Sequence, residues 1–314
     1  MMEVCIILPA YNEENTIAET ISDFHKELPE ASIWVINNRS NDATEVIAKK
    51  TIEHLACKGG VMNELRAGKG NALRHAFLNI NSDIYIISDA DSTYPASQIG
   101  ELIKPIISGE ADMVLGDRQS GGQYLNENKR ALHYFGNNLV RRLVNKLFSA
   151  NLVDILTGYR AFNNLFVKSY PILVSGFEIE TDMTIHALDK RFRIVEVPIN
   201  YRDRPKGSFS KLSTIKDGLR VLGIIVRIFR YYRPFIFFGS LALVSAIFTL
   251  IAGAVVIKEF INTGYITHIP LAVLAASLGI TSIIFSAIAL ILDAISHQDK
   301  RNFERDLLSK KFNH

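Results

Sequence analysis

Hydrophobic and polar positions divide this chain into two unlike parts. Over the first two thirds, short apolar runs alternate with stretches of helical spacing. Residues 4–8 (VCIIL) are an unbroken apolar run ending in Pro9 and predict a buried strand. Residues 13–28 set Ile17, Ile21, Phe24 and Leu28 on one helical face, stopped by Pro29. Residues 32–36 predict a second strand and 37–42 a polar loop, after which Asp42 can cap a helix over 43–55. Another helical pattern follows the Gly68-Lys69-Gly70 turn. Residues 84–88 predict a strand that delivers Asp89, and residues 113–115 one that delivers Gly116-Asp117-Arg118. A further strand is predicted at 194–197. Strand and helix in alternation predict an α/β fold with a mostly parallel sheet and helices on both faces. Ligands of such sheets bind beyond the carboxyl ends of the strands. The polar clusters at 9–13, 37–42, 89–93 and 116–118 are therefore expected to converge.

Beyond residue 213 the alternation stops. Residues 235–257 and 270–292 each run without a charged side chain. At 1.5 Å per residue each makes a helix roughly 34 Å long, enough to cross a bilayer core with slight tilt. Residues 214–234 mix apolar positions with Lys216, Arg220, Arg227 and Arg230 and predict juxtamembrane amphipathic helices. The expected division is a catalytic domain at 1–213, the amphipathic segment at 214–234, a transmembrane hairpin at 235–292 and a basic tail at 293–314. Arg227, Arg230 and Arg233 precede the hairpin, and Lys300, Arg301, Arg305, Lys310 and Lys311 follow it. The positive-inside rule then puts both termini in the cytosol and the short loop at 258–269 outside. A multi-pass protein of the inner or cytoplasmic membrane is expected, its catalytic domain cytosolic.

Composition changes this picture little. The 314 residues are 48% hydrophobic, and the apolar excess lies in the last third. A net charge of +3 is too weak to argue for nucleic acid, and the basic residues gather beside the apolar segments. Cys5 and Cys57 have no metal-ligand spacing and make no disulfide framework. No secretory leader is read in the opening residues, Met1-Met2-Glu3.

The candidate chemistry centres on Asp89-Ala90-Asp91. Two carboxylates leave the end of an apolar strand, and such oxygen donors suit Mg2+ or Mn2+ shared with substrate phosphates. Alone, the motif is equally compatible with a solvated Asx turn before Pro95. Pro9-Ala10-Tyr11-Asn12-Glu13-Glu14 can offer a nucleoside an aromatic face and hydrogen bonds, while Asn12 and the two glutamates also suit a helix start. Asn38 follows the second strand, where a polar contact to base or ribose is expected. His133 and His186 lie in helical patterns and make no metal spacing.

The ordered motifs PAYNEE, NNRSNDAT, RAGKGNAL, DADSTYP, DMVLGDR, DILTGYRAF and EVPINYRDRPKGSFSKL resemble family 2 glycosyltransferases of the GT-A fold. Within them they resemble the polyprenyl-phosphate branch, dolichyl-phosphate mannose synthases and GtrB-like undecaprenyl-phosphate glucosyltransferases. The likeness spans residues 3 to about 213, and a two-helix tail suits the GtrB-like members. It implies that Pro9, Tyr11 and Glu13 hold the nucleoside with Asn38, and that Asp89 and Asp91 bind metal and diphosphate around Ala90. Lys69 matches a basic position of the family. Thr93 stands where the family often has Gln, and Asn38 where it often has Asp. Arg118 and Arg130 match residues that grip the acceptor phosphate, with residues 119–129 as a mobile acceptor loop; guanidinium forks suit phosphate oxygens. Asp154 matches a candidate catalytic base or sugar contact, though a phosphate monoester with a second pKa of about 6 needs no base at neutral pH. Glu178 and Glu180 are candidates for sugar hydroxyls, and Arg202, Arg204 and Lys211 for a basic loop over the diphosphate.

The implied reaction is inverting transfer of one hexose, from a UDP-linked donor or from GDP-mannose, to undecaprenyl or dolichyl phosphate. The lipid tail is expected along the amphipathic and transmembrane helices, and a homotetramer by analogy. A processive polysaccharide synthase is disfavoured, because its Gln-x-x-Arg-Trp motif is missing and Trp34 lies within a strand pattern. A non-catalytic membrane scaffold is disfavoured by the retained Asp89, Asp91, Arg118 and Arg130. A dinucleotide dehydrogenase is disfavoured because Gly68-x-Gly70 lacks the third glycine.

Overall fold

The computed structural model describes residues 2–120, 131–176, 178–202, 223, 225–226 and 228–312, with backbone alone at 131–135 and 310–312. They divide into two compact units, 1–221 and 222–314.

The first unit is built on a seven-stranded sheet in the order β3-β2-β1-β4-β6-β5-β7. Its strands are β1 (Val4–Ala10), β2 (Ser32–Asn37), β3 (Gly59–Asn63), β4 (Ile84–Ile87), β5 (Met113–Asp117), β6 (Arg160–Asn163) and β7 (Ile194–Pro198). Six run parallel to one another, and β6 runs against both neighbours. The helices α1 (Ile17–Glu27), α2 (Thr44–His54), α3 (Lys69–Asn79), α4 (Ile99–Ile107), α5 (Ala131–Phe148), α6 (Asn164–Ser169) and α7 (Ile179–Asp189) connect them. Apolar runs become strands here because β1 and β4 have neighbours on both edges and bury their side chains on both faces.

Three local outcomes differ from the hydropathy reading. Pro9 does not end β1. The ladder to β4 stops at Ile7–Ile87, so Pro9 pairs only with Ile36 of β2, and its missing N–H is tolerated. Helix α1 starts at Ile17 rather than residue 13, because Asn12 takes φ 54° and the Glu13 amide donates to Thr44 Oγ1 at 2.8 Å. Two strands carry almost no periodic signal. β3 is a half-exposed edge opening on two glycines; Gly59 has φ 113°, and a Cβ there would stand 2.1 Å from Ile33 O. β6 is four residues long and opens on an arginine.

The reversal of β6 decides where the chemistry sits. The carboxyl ends of β1, β2, β4, β5 and β7 share one edge of the sheet, and the segment entering β6 reaches that same edge. Strand order reverses about β1, flanked by β2 on one side and β4 on the other, which opens a crevice there.

The second unit contains two long helices, α8 (Pro234–Thr263) and α9 (Ile269–Phe312). Both are long and apolar enough to cross a bilayer. Small side chains bring them together: a Cβ on Gly279 would lie 3.4 Å from Thr249 Cγ2, and Ser282 Oγ donates to Ala242 O at 2.8 Å. Leu243, Leu250, Ile251, Ile283 and Leu290 point outward instead. This pattern is the inverse of a water-soluble helix pair. Gly264, at φ 73°, closes α8, its amide donating to Phe260 O. The basic segment expected as a separate tail continues α9 to Phe312. The boundary expected at 213 falls outside the described residues, as does most of 214–234.

Candidate active site

Asp89 and Asp91 follow β4, on the turn that faces the crevice between β1 and β4. Ser92 on this turn has φ 59°, and Arg39 after β2 has φ 63°. Together with Asn12 after β1, a non-glycine left-handed residue stands at each of three strand ends, the kind of strain that concentrates at functional sites. The turns are also cross-linked. Asn12 N donates to Ser40 Oγ at 3.0 Å, Asn41 N to Asn12 Oδ1 at 2.9 Å, and Thr16 Oγ1 to Ala90 O at 2.8 Å.

Lys69 enters from the start of α3. Gly68 has φ 121°, and Cβ atoms on Gly68 and Gly70 would stand 2.0 Å from Ser175 O and 2.1 Å from Val174 O. Only glycines let the turn press against that backbone, where Gly70 N donates to Ser175 O at 3.0 Å. The fit drives the Lys69 ammonium between Asp89 Oδ1, at 2.5 Å, and Glu180 Oε1, at 2.6 Å. Burial alone would lower its pKa; the two carboxylates outweigh burial and hold it above the usual lysine range. The Asp89 side chain is 31% exposed and Asp91 is 3% exposed.

Arg118 extends from β5. Its Nε donates to Asp154 Oδ2 at 2.7 Å, its Nη2 to Oδ1 at 3.0 Å and its backbone N to Oδ2 at 3.2 Å. Burial favours the protonated acid at Asp154, yet Arg118 and these hydrogen bonds hold the carboxyl below its ordinary range. Asp154 is therefore an ionised clamp on Arg118 in this arrangement. The guanidinium also lies 5.6 Å from the Tyr201 ring centroid.

Three side chains fix the segment that enters β6. Glu196 of β7 accepts from Val153 N and Asp154 N, both at 2.8 Å, and burial raises its own pKa. Arg160 is fully buried between Ile87 and Leu115 of the flanking strands. It donates to Thr157 O and Ile155 O, each at 2.8 Å, and to Thr184 Oγ1 at 2.9 Å, and burial pulls its pKa down to about 10. Tyr94 Oη accepts from Gly158 N at 2.8 Å and from Arg118 Nη1 at 3.5 Å. Its ring stacks on Tyr159 at 5.3 Å. A Cβ on Gly158 would lie 2.9 Å from Asp89 Oδ2 and 3.0 Å from Lys69 Nζ, so only a glycine lets this ion pair pack against the backbone there.

The structure thus brings together Asp89, Asp91, Lys69, Arg118 and Asp154, all candidates from the sequence motifs. Thr93, placed with them, donates its hydroxyl to Asp91. Tyr11 is exposed beside the crevice and Glu13 accepts from Thr16 Oγ1. Pro9 lies in β1 and pairs with Ile36. Asn38 is committed elsewhere: its Nδ2 donates to Glu64 O and Arg66 O, and its Oδ1 accepts from Gly68 N at 2.7 Å. A carboxylate could not make those two donations, which is a local reason for Asn at this position. Arg130, Arg204 and Lys211 lie outside the described residues. Tyr94, Arg160 and Glu196 were not read from sequence. An arginine opening a short strand and a tyrosine beside a proline have no spacing signal that marks them.

The donor set tests the metal expectation. Among the described residues, no three of His, Cys, Asp and Glu gather as a self-sufficient metal cluster. Two aspartates, one of them with its side chain about a third exposed, fit a hard divalent cation whose other ligands come from a phosphate-bearing substrate.

The chain is 30% identical over 307 residues to glycosyltransferase AglJ of Haloferax volcanii, a match covering 95% of this chain and 96% of that protein. It is 28% identical over 225 residues to the undecaprenyl-phosphate mannosyltransferase of Micrococcus luteus, covering 68% and 88% of the two chains. Its fold matches glucosyl-3-phosphoglycerate synthase of Mycobacterium tuberculosis, solved with Mn2+, UDP and phosphoglyceric acid, with TM-score 0.58 at 20% identity over 73% of this chain and 78% of that one. The first unit therefore has the GT-A fold. The description "Glycosyl transferase family 2" matches residues 5–169, more than half of the sequence, and the chain belongs to that family.

Proposed function

We propose that this glycosyltransferase transfers one hexose, with inversion, from a nucleotide-diphosphate sugar to a polyprenyl phosphate at a membrane. The observation that carries the reading is the shared edge of the sheet: an acidic pair beside Lys69 on one side of the Tyr94–Gly158 link, and a clamped arginine on the other. An acidic pair suits a nucleotide diphosphate with its cation. An arginine suits a phosphate that is a substrate in its own right.

In this reading Asp89 and Asp91 hold Mg2+ or Mn2+, which when bound neutralises charge on the departing diphosphate. Tyr11 and Glu13 line the nucleoside side. Lys69 balances Asp89 and Glu180, so that the pocket is less repulsive to phosphates than three carboxylates alone would make it. Arg118, oriented by Asp154, receives the acceptor phosphate, aided by Arg130; Arg204 and Lys211 approach the diphosphate. The acceptor oxygen is already ionised near pH 7, so Asp154 serves as a positioning group rather than a base. The two long apolar helices keep the chain at the bilayer, where a polyprenyl phosphate resides.

UDP-hexose is the donor we put first. GDP-mannose is the second reading, favoured by the mannosyltransferase of Micrococcus luteus among the relatives. The test uses membranes containing the full chain, radiolabelled UDP- and GDP-sugars, and undecaprenyl or dolichyl phosphate. Label should enter the lipid from one donor class. Asp91→Ala should lower transfer at least ~100-fold, since a bound cation contributes several kcal/mol of charge stabilisation. Transfer at the wild-type rate by Asp91→Ala would remove the metal assignment.

A further inference from the structure

Thr93, two residues beyond Asp91, is fully buried. Its hydroxyl donates to Asp91 Oδ1 at 2.6 Å, and its amide reaches the same oxygen at 3.3 Å. Its carbonyl accepts from Arg202 N at 2.9 Å. The preceding residue, Tyr201, has its hydroxyl in hydrogen-bond contact with the Thr93 side chain, and its ring packs edge-on against Tyr94 at 5.4 Å. Two elements therefore enclose this threonine, the turn after β4 and the segment after β7.

A threonine hydroxyl can bind a cation and donate a hydrogen bond at once, but only if one side of the oxygen faces the cation. Here the single oxygen is engaged by Asp91 on one side and Tyr201 on the other. An aspartate, by contrast, has two oxygens, and pinning one of them fixes the plane in which the other points. We propose that Thr93 is a positioning residue that orients the Asp91 carboxylate for a divalent cation and is not itself a ligand. This rests on the metal reading above. It leaves Asp89 and Asp91 as the acidic donors from the turn, with substrate oxygens and water completing the shell.

The test titrates Mn2+ into the full chain in detergent micelles, with UDP and separately with GDP, and follows the EPR signal of free Mn2+. Thr93→Val should weaken Mn2+ binding about 10- to 100-fold, the usual effect of losing a group that orients a ligand. Thr93→Ser, which keeps the hydroxyl, should bind near the wild-type level. Combining Thr93→Val with Asp91→Asn should weaken binding no further than Asp91→Asn alone, because the hydroxyl acts only through that carboxylate. Thermal unfolding checks that each variant is folded, and Thr93→Ala replaces Thr93→Val if the latter is not. Wild-type affinity in folded Thr93→Val overturns the proposal, as does a loss in Thr93→Ser equal to that in Thr93→Val. A full additional loss in the Asp91→Asn background makes Thr93 a ligand in its own right and overturns it too. No Mn2+ bound by the wild type with either nucleotide removes the metal reading itself, and the proposal with it.

Discussion

At the residue scale, the candidate site is a set of charges, each held by identifiable partners. Asp154 shows this best. From the resemblance of the Asp154 motif alone, it is either a base or a sugar contact. Paired with Arg118 through both oxygens and almost completely buried, it is a fixed anion. Its folded-state pKa lies below the ordinary value of about 3.9, so the unfolded chain takes up the proton first as pH falls. The stability it contributes is complete above that ordinary value and is lost on descent through the folded one. Asp154→Asn also leaves Arg118 without its counter-charge, at a cost of roughly 3 kcal/mol near neutral pH. Thermal unfolding of the two proteins between pH 7 and pH 3 should show a gap that narrows toward acid. A gap that stays constant would mean the Arg118 pair is not its source. Asp89, Asp91 and Arg118 were legible as candidates because each follows a readable strand and falls in a motif that resembles the family. Arg160 was not, because only its neighbours in the sheet reveal a cation with three backbone and hydroxyl acceptors in the core.

At the element scale, close approach of backbone decides the pocket. Helix α3 carries Lys69 to Asp89 only because its first turn packs on the 174–176 backbone. Gly70→Ala would put a methyl 2.1 Å from Val174 O, a backbone atom that cannot rotate away. The helix would have to retreat, taking the ammonium with it. Overpacking of this kind destabilises by about 1–3 kcal/mol. The expected result is a melting temperature lowered by several degrees together with loss of donor binding. Normal melting and normal nucleotide binding in Gly70→Ala would refute the tight fit. Strand β6 is the other decisive element. Four residues and one arginine give no period to read, yet its reversal puts the Asp154–Gly158 segment at the same edge as Asp89.

At the scale of the whole molecule, a GT-A unit and a pair of long apolar helices share one chain. Both termini of the helix pair are flanked by Lys and Arg, and the loop between them holds Gly264 and His268. We predict the two ends on the cytosolic side and the loop opposite. A cysteine placed at Ile266, in a background with Cys5 and Cys57 replaced, should react with a membrane-impermeant maleimide on intact cells. One placed at Asn313 should react only after permeabilisation, and the reverse pattern would invert the topology. Hydropathy was enough for the α/β class and both apolar helices, since strands buried on both faces and helices apolar enough to cross a bilayer must be written in apolar runs. Polar motifs after those strands placed the acidic pair and Arg118 at one edge of the sheet, and the resemblance to the family supplied their expected roles. What only the tertiary structure decided is which charges meet. It set Lys69 between Asp89 and Glu180, turned Asp154 onto Arg118 and occupied Asn38 with the Glu64–Gly68 backbone. These partners lie 20 to 111 residues apart in sequence, and their pairing follows from strand order and glycine-permitted contact, neither of which leaves a periodic trace in the chain.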